Sequence, residues 1–341
     1  MNYNILYIIM KEYIMRKIIK KEKNKYIHSF FDMNDNIIED KKYINEIKSG
    51  IYIPPAYDNV KININKEDKV LAIGFDTKGR AQYIYNKGFI EEQKDKKFNH
   101  MIDFGKAYNR INRRITEDYI SPVESKDKQV AIILKLIMDC HFRVGNERYS
   151  KANKSYGTTT LEKKHVKVSK GDIIIDFIGK KSVRNKCTIK NKNLVRTLKN
   201  KRKSLNKGDR LFSYRRGNKY YNIKSTDVNK YLKQFGSITA KDFRTWGANI
   251  EFIIQILKQC KGDKDMNETT KKKIIKKSIE NVSNKLHNTC AVCKSNYLDP
   301  LLIDTFIDNT SYFLKLFYTK GTTNYNKDNI TKKYIYFLED L

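Results

Sequence analysis

The sequence predicts an α+β protein, with a small β-rich amino-terminal domain before a larger, mainly α-helical domain that contains a three-stranded meander. Short alternating apolar runs occur before residue 93, helical apolar spacing follows from residue 101, and three strand-like runs lie between residues 164 and 189. A chain of 341 residues is long enough for about two domains. The charged, apolar-poor segment 92–97 is the predicted linker, which gives domains at 1–93 and 94–341.

The chain is strongly basic along its whole length. It has 70 Lys and Arg residues against 38 Asp and Glu, a formal net charge of +32. A folded protein of this charge repels itself unless it binds a polyanion, and nucleic acid is the leading candidate. The alternative is a nucleotide bias, since Lys, Asn, Ile and Tyr are all frequent.

In the amino-terminal domain, the two prolines of residues 52–55 indicate an extended segment, because the residue before a proline avoids the α region. Strands are predicted at 60–64, 70–75 and 81–85, with a turn at 76–79.

The last of these strands carries Tyr83 and Tyr85 on one face, beside Arg80 and Gln82. Such a face is either an aromatic core or, in a basic domain, a surface that contacts DNA sugars and phosphates.

The second domain begins with helical spacing, and residues 130–142 are apolar almost all round, which predicts a buried helix. Gly145 is predicted to end this helix. Arg143 leaves the end of this helix, where it either solvates itself, neutralises the helix C-terminus or binds a ligand.

The predicted meander has strands at 164–168, 173–178 and 183–189, with Lys180 at the second hairpin tip. Gly179 and Lys180 resemble the end of a phosphate-binding loop. That motif needs Gly at Ile174 and Ser or Thr at Lys181, so nothing here indicates ATP.

A capping box at residues 239–242 opens the next predicted helix, whose apolar stripe runs from Phe243 to Leu257. Arg244 lies in its first turns, where the helix dipole disfavours a cation, and such a group is often a phosphate ligand. Further helices are predicted at 271–286, 301–317 and 333–341.

The five cysteines are odd in number and scattered, which favours a reducing intracellular compartment and argues against a disulfide framework. Cys290 and Cys293 form a C-x-x-C, but no second Cys/His pair lies at zinc-binding spacing, so no metal site is expected. The apolar start is interrupted by Lys11 and Glu12, and we expect neither a signal peptide nor a membrane span.

The segment LHNTCAVCKSNYLDP, residues 286–300, contains Tyr297. A tyrosine phenol has an ordinary pKa of about 10 and is a poor nucleophile at neutral pH. It becomes effective where cations collect around the phosphate that it attacks. Taken alone, Tyr297 is an ordinary core or surface tyrosine.

Arg143, Lys180, Arg244 and Tyr297, with the sequences around them, resemble type IB DNA topoisomerases of the compact poxvirus, giant-virus and bacterial kind. The resemblance starts near Lys20 and covers nearly the whole remaining chain. The matching blocks are IPPAYDNV, DTKGRAQYIY, DFGKAYNRI, FRVGNERY, FIGKKSV, KDFRTWGAN and NTCAVCKSNY.

The resemblance implies a role for each residue of this set. Tyr297 is the expected nucleophile, which forms a 3′-phosphotyrosyl bond. Arg143 and Arg244 are expected to hold the non-bridging oxygens of the scissile phosphate. Lys180 is the expected general acid for the 5′-oxygen, and Asn288 an amide donor to the phosphate. The implied DNA contacts are Arg80, Gln82, Tyr83, Tyr85 and Tyr149.

Two positions depart from the poxvirus pattern. Poxvirus enzymes carry a histidine at the position of Asn288, whereas His287 lies one residue away. Asn146 stands where they carry a lysine, which puts the preferred cleavage sequence in doubt.

The implied activity is relaxation of positive and negative supercoils by strand rotation, without ATP or metal, by a monomer that forms a clamp around duplex DNA. If the source is viral, the expected locations are the cytoplasmic replication site and the virion. One alternative is a tyrosine recombinase, but those proteins carry H-x-x-R where residues 241–244 read KDFR. Another is a non-catalytic, basic DNA-packaging protein, which the charge alone would suit.

Overall fold

In a computed structural model of the protein, residues 10–23, 25–322 and 325–340 are described. They form a β-sheet unit followed by a mostly helical unit, and the boundary lies between Phe98 and Asn99. The predicted α+β class is confirmed.

Five strands build the first unit. They are β1 (Tyr13–Glu22), β2 (Lys25–Phe31), β3 (Asp58–Asn63), β4 (Val70–Phe75) and β5 (Ala81–Tyr85), with the helix α1 (Lys41–Lys48) after β2. The sheet is antiparallel with the order β2-β1-β3-β4-β5. Its core contains Ile14, Val60, Ile62 and Ala72, with Ile47 of α1 packed against them. The three predicted strands are confirmed.

The strands β1 and β2 were not predicted, because basic residues interrupt the alternation of apolar and polar side chains along them. Arg16 of β1 is nevertheless buried, and its guanidinium donates to the carbonyls of Pro54 and Tyr57, each at 2.9 Å. These bonds hold the extended segment around the two prolines against the sheet.

The second unit consists mainly of helices around one core. Helix α2 (Lys87–Ile120) begins before the boundary and continues into this unit. The next elements are α3 (Lys126–Cys140), α4 (Glu147–Asn153), β6 (Val166–Ser169), β7 (Asp172–Ile178), β8 (Arg184–Ile189) and α5 (Lys192–Lys203). The later ones are β9 (Ser213–Arg216), β10 (Lys219–Asn222), α6 (Ser225–Leu232), α7 (Ala240–Cys260), α8 (Glu268–Leu286), α9 (Cys290–Asn296), α10 (Pro300–Asp308), α11 (Thr310–Phe317) and α12 (Lys327–Glu339). The strands β6, β7 and β8 form the predicted antiparallel meander.

Helix α2 runs through the segment predicted as a linker. Residues 92–97 are helical, and an ion pair between Lys96 and Glu92 at 2.5 Å supports one exposed turn. The charged, apolar-poor sequence therefore forms part of a helix rather than a linker. The domain bounds 1–93 and 94–341 stay a prediction.

Helix α7 lies at the centre of the second unit, packed against α3, α8 and α12. Its capping box is present as predicted, since the Asp242 carboxylate accepts the Thr239 N–H at 2.8 Å. The predicted stripe is buried, and Trp246 packs against Phe104 and Tyr334 with ring centroids 5.3 and 4.9 Å apart.

Two predicted helix ends are wrong. Helix α3 ends at Cys140 rather than at Gly145, because His141 adopts the left-handed conformation and its N–H donates to Ile137. The predicted helix 301–317 is two helices, because Asn309 leaves the helical conformation and caps α11 by accepting the Tyr312 N–H. Residue 341, part of the last predicted helix, lies outside the described residues.

A disulfide joins Cys140 at the end of α3 to Cys187 in β8. This corrects the expectation that no disulfide would form, since an odd cysteine count says nothing about which pair the fold brings together. The cysteine count therefore no longer supports the expectation of a reducing compartment, since two of the five cysteines form a disulfide. No helix in the described ranges is long and apolar enough to cross a bilayer.

We predict that reducing this bond lowers the free energy of unfolding by about 2–4 kcal/mol, because the cross-link restricts the unfolded chain over 47 residues. Urea unfolding with and without reductant measures the difference. The double variant Cys140→Ser/Cys187→Ser should have the free energy of unfolding of the reduced wild type, with or without reductant. The control Cys290→Ser should lose stability on reduction, as wild type does. A wild type that is insensitive to reductant contradicts the bond.

Candidate active site

The loop after α3 presents Arg143. Its backbone is held by the turn at residues 157–160: Thr158 donates its N–H and its hydroxyl to the Arg143 carbonyl at 2.9 and 3.1 Å, and the Thr159 N–H donates to Val144 at 2.8 Å. A Cβ on Gly157 would lie 2.4 Å from the Gly145 Cα. Two threonines and a close glycine contact therefore fix the direction in which Arg143 leaves the backbone.

Arg244 enters the same region from the second turn of α7. Its side chain is 2 % exposed, and Nη2 donates to the Leu286 carbonyl at 3.1 Å. Its Nε and Nη1 have no hydrogen-bond partner among the described residues. A buried cation with unused donors is costly unless an anion binds there, which makes this a candidate phosphate site.

The end of α8 supplies the amide. His287 terminates α8 in the left-handed conformation, and the Asn288 N–H then donates to Ser283 at 2.9 Å. The Asn288 Oδ1 accepts a hydrogen bond from Arg143 Nη2 at 2.7 Å. Its Nδ2 is buried and finds no partner within the described part of the chain, so it too is a free donor.

Tyr297 follows α9 and is only 7 % exposed. The guanidinium carbon of Arg244 lies 5.3 Å from the centroid of its ring, within the range of a cation–π contact. Asn249 fixes the backbone on both sides: its Nδ2 donates to the Tyr297 carbonyl at 3.1 Å, and its Oδ1 accepts the Asp299 N–H at 2.8 Å.

The electrostatics favour the phenolate. Burial alone would raise the pKa of Tyr297, but the charges of Arg244 and Arg143 and the nearby polar hydrogens of Arg244 and Asn288 outweigh it. The pKa of Tyr297 is therefore lower than its ordinary value. Burial also lowers the pKa of Arg244, but a guanidinium remains charged in proteins.

The structure brings together four of the predicted catalytic residues and leaves Lys180 apart. Arg143, Arg244, Asn288 and Tyr297 form one cluster, in which Arg143 donates to Asn288 and Arg244 contacts the ring of Tyr297. Lys180 is exposed in a tight turn between β7 and β8, and no contact in the described part of the protein joins it to the other four.

His287 is the alternative to Asn288. Its ring packs on Phe142 with centroids 6.0 Å apart. Burial lowers the pKa of His287, and the charges of Arg244 and Arg143 lower it further.

The predicted DNA-contact residues are at the surface. Tyr83 and Tyr85 stack with centroids 6.1 Å apart and are 38 % and 40 % exposed, so they do not form an aromatic core. Arg80 and Gln82 both donate to the Asp76 carboxylate. Tyr149 of α4 is 55 % exposed. Their contacts with DNA stay a prediction.

Some residues that shape the site were missed. Asn249 ends the recognised block KDFRTWGAN, and Thr158 and Thr159 lie between two blocks, but nothing marked them as supports of the site. A polar residue within an apolar helical run was the available signal for Asn249. Asn146, where the poxvirus pattern has lysine, caps α4 by accepting the Arg148 N–H at 2.9 Å.

Among the described residues, no three His, Cys, Asp or Glu side chains are grouped to hold a metal ion. The site is instead a tyrosine between two guanidinium groups and an amide. Such a cluster is typical of enzymes that act on phosphodiesters, and we assign the protein to this class, whereas the role of Tyr297 as nucleophile stays a prediction.

Comparisons with known proteins support this assignment. Residues 86–310 match the family described as Eukaryotic DNA topoisomerase I, catalytic core. The chain is 34 % identical over 314 residues to the DNA topoisomerase 1B of Acanthamoeba polyphaga mimivirus, covering 89 % of this chain and 92 % of that protein. It is 24 % identical over 299 residues to the DNA topoisomerase 1B of Vaccinia virus (strain Copenhagen), covering 83 % and 91 %. This chain belongs to the type IB DNA topoisomerases, of the viral type.

We predict that Gly157→Ala reduces activity at least tenfold and stability by about 1–3 kcal/mol, because the new Cβ meets only backbone atoms of Gly145 and Arg143. Plasmid relaxation and urea unfolding measure the two effects. Gly88→Ala is the control, since its nearest neighbour is an Asn86 side-chain atom at 3.3 Å. Full activity in Gly157→Ala would show that the loop does not need this contact.

We also predict that His141 makes the fold acid-sensitive. Burial, with positive charges nearby, lowers the pKa of His141 to about 3. An unfolded histidine titrates near 6.5, so the unfolded state binds the extra proton first and stability is lost as the pH falls from 6.5. Between pH 7 and pH 5 the wild type should lose about 2 kcal/mol more than His141→Gln in urea unfolding. Equal losses would contradict this.

Proposed function

We propose that Tyr297 attacks a phosphodiester of duplex DNA, forming a 3′-phosphotyrosyl bond and releasing a 5′-hydroxyl strand. The observation that supports this most strongly is the contact between Tyr297 and Arg244, a buried cation with unused donors. The cation lowers the pKa of the nucleophile and is also placed to bind the phosphate that the nucleophile attacks.

Three groups would hold the phosphate. Arg244 would use its free Nε and Nη1, and Arg143 its guanidinium fork, on the two non-bridging oxygens. The free Nδ2 of Asn288 would donate a further hydrogen bond. The bond between Arg143 and Asn288 would align both before DNA binds. In this account, side-chain cations neutralise the charge of the transition state.

Lys180 would protonate the leaving 5′-oxygen. Its ammonium is exposed on a turn in which Lys181 and Ser182 have positive φ of 61° and 59°. We propose that bound DNA draws this turn towards the scissile phosphate. The lysine would then contact its target only in the complex, as catalytic contacts often do.

Strand rotation would follow cleavage. The tyrosyl ester keeps the bond energy of the phosphodiester, so the 5′-hydroxyl can reverse the reaction without ATP. We propose that the protein acts as a monomer and a clamp, with the surface of Arg80, Gln82, Tyr83 and Tyr85, and with Tyr149, on the duplex. The viral relatives suggest cytoplasmic replication sites and the virion as places of action.

Relaxation of supercoiled plasmid, in EDTA and without ATP, tests this function. Wild type should relax both positive and negative supercoils. Tyr297→Phe should bind DNA with unchanged affinity and relax none, because it lacks only the attacking oxygen. Tyr325→Phe, a second buried tyrosine altered in the same way, should remain active. Activity in Tyr297→Phe, or a wild type that requires ATP, would overturn the proposal.

A further inference from the structure

The strands β9 and β10 form a separate two-stranded ribbon on the helical unit. The register pairs Arg216 with Lys219, Arg215 with Tyr220, and Tyr214 with Tyr221. Nothing in the proposed chemistry uses these residues.

The ribbon exposes aromatic surface. Tyr220 is 73 % exposed and Tyr221 is 45 % exposed. Tyr220 stands opposite Arg215, whose guanidinium donates to Gly217 and Asn218 in the turn and so stiffens the tip. An aromatic ring held on a rigid, basic tip is suited to packing against the sugars and bases of a nucleic acid.

The ribbon also concentrates positive charge. Arg216 and Lys219 face each other directly across the two strands, and residues 213–222 include no Asp or Glu. Like charges at directly opposed positions destabilise a sheet. A polyanion that binds both side chains would remove this repulsion, so the pair is better suited to the bound state than to the free protein.

The base of the ribbon is attached beside the active site. The Leu211 N–H, two residues before β9, donates to Leu161 at 2.8 Å, next to the turn that holds Arg143. Arg210 donates to Ser150 of α4 at 2.9 Å, one residue from Tyr149.

The ribbon itself lies near the start of α3. The Lys126 ammonium is 5.4 Å from the Tyr214 ring centroid, and Arg143 follows the other end of this helix. With 15 residues, α3 is about 22 Å long. This length corresponds to about six base pairs of duplex.

We propose that the ribbon is a second contact with duplex DNA, lying in a groove at most about six base pairs from the phosphate attacked by Tyr297. A major groove admits a two-stranded β-ribbon. Arg216 and Lys219 bind phosphates from one face of the ribbon, and Tyr220, beside Arg215 on the other face, packs against the sugars and base edges on that side. This proposal rests on the proposed function, because it measures position from the scissile phosphate.

The test uses a cleavage site first mapped with wild-type protein. It is placed in a duplex with 20 base pairs on both sides, and in two shortened duplexes that keep only three base pairs on one side or the other. Binding is measured by fluorescence anisotropy at several salt concentrations, and covalent complex formation at saturating protein. The variants are Arg216→Ala/Lys219→Ala and Tyr220→Ala. The controls are Lys273→Ala/Lys276→Ala, which removes the same charge from α8, and Tyr336→Ala, an exposed tyrosine of α12.

We expect Arg216→Ala/Lys219→Ala to bind the long duplex about tenfold more weakly or worse, with a salt slope shallower by about 2. Tyr220→Ala should weaken binding several-fold. Both losses should disappear on one of the two shortened duplexes, and the rate of covalent complex formation at saturation should be unchanged. The controls should show no dependence on duplex length.

Wild-type affinity in both ribbon variants, or an equal loss on all three duplexes, overturns the proposal. Covalent complex that still forms in Tyr297→Phe would instead refute the proposed function. The binding data on the long and shortened duplexes would still report whether the ribbon contacts flanking DNA.

Discussion

The site depends on one constraint: a guanidinium buried without a full set of partners. Arg244 is 2 % exposed and uses Nη2 on the Leu286 carbonyl, while Nε and Nη1 have no partner in the described structure. Because a guanidinium does not lose its proton, this charge can be offset only by an incoming anion or by the phenolate of Tyr297. Burying Arg244 costs free energy in the free protein, and the same cost would favour the binding of a phosphate and the ionisation of Tyr297.

The surrounding fold keeps that arrangement in place. Helix α7 positions Arg244 and, five residues later, Asn249, which binds the backbone at Tyr297. The end of α8 supplies both the carbonyl for Arg244 and the amide of Asn288. A displacement of α8 against α7 would therefore disturb Arg244, Asn288 and Tyr297 together, so the core packing between these helices would support the proposed chemistry.

The features that could be predicted from the sequence are those that depend on residues close together in the chain. The capping box at Thr239 and the apolar stripe after it predicted α7, and the matching blocks singled out Arg143 and Tyr297, which the fold brings near each other. It did not reach what depends on distant contacts. The pairing of Cys140 with Cys187 and the clamp of Thr158 on the Arg143 carbonyl arise only when separate segments meet. The strand β1 was missed because Arg16, a buried cation, breaks its apolar pattern.

The most direct test of the central claim is to identify the residue that carries DNA. Covalent complex is trapped on a nicked duplex, digested with protease and nuclease, and the remaining nucleotide-linked peptide is sequenced by mass spectrometry. We predict one adduct, a 3′-phosphate ester on the oxygen of Tyr297. An adduct on any other of the 23 tyrosines, or a 5′-phosphate linkage, would contradict it.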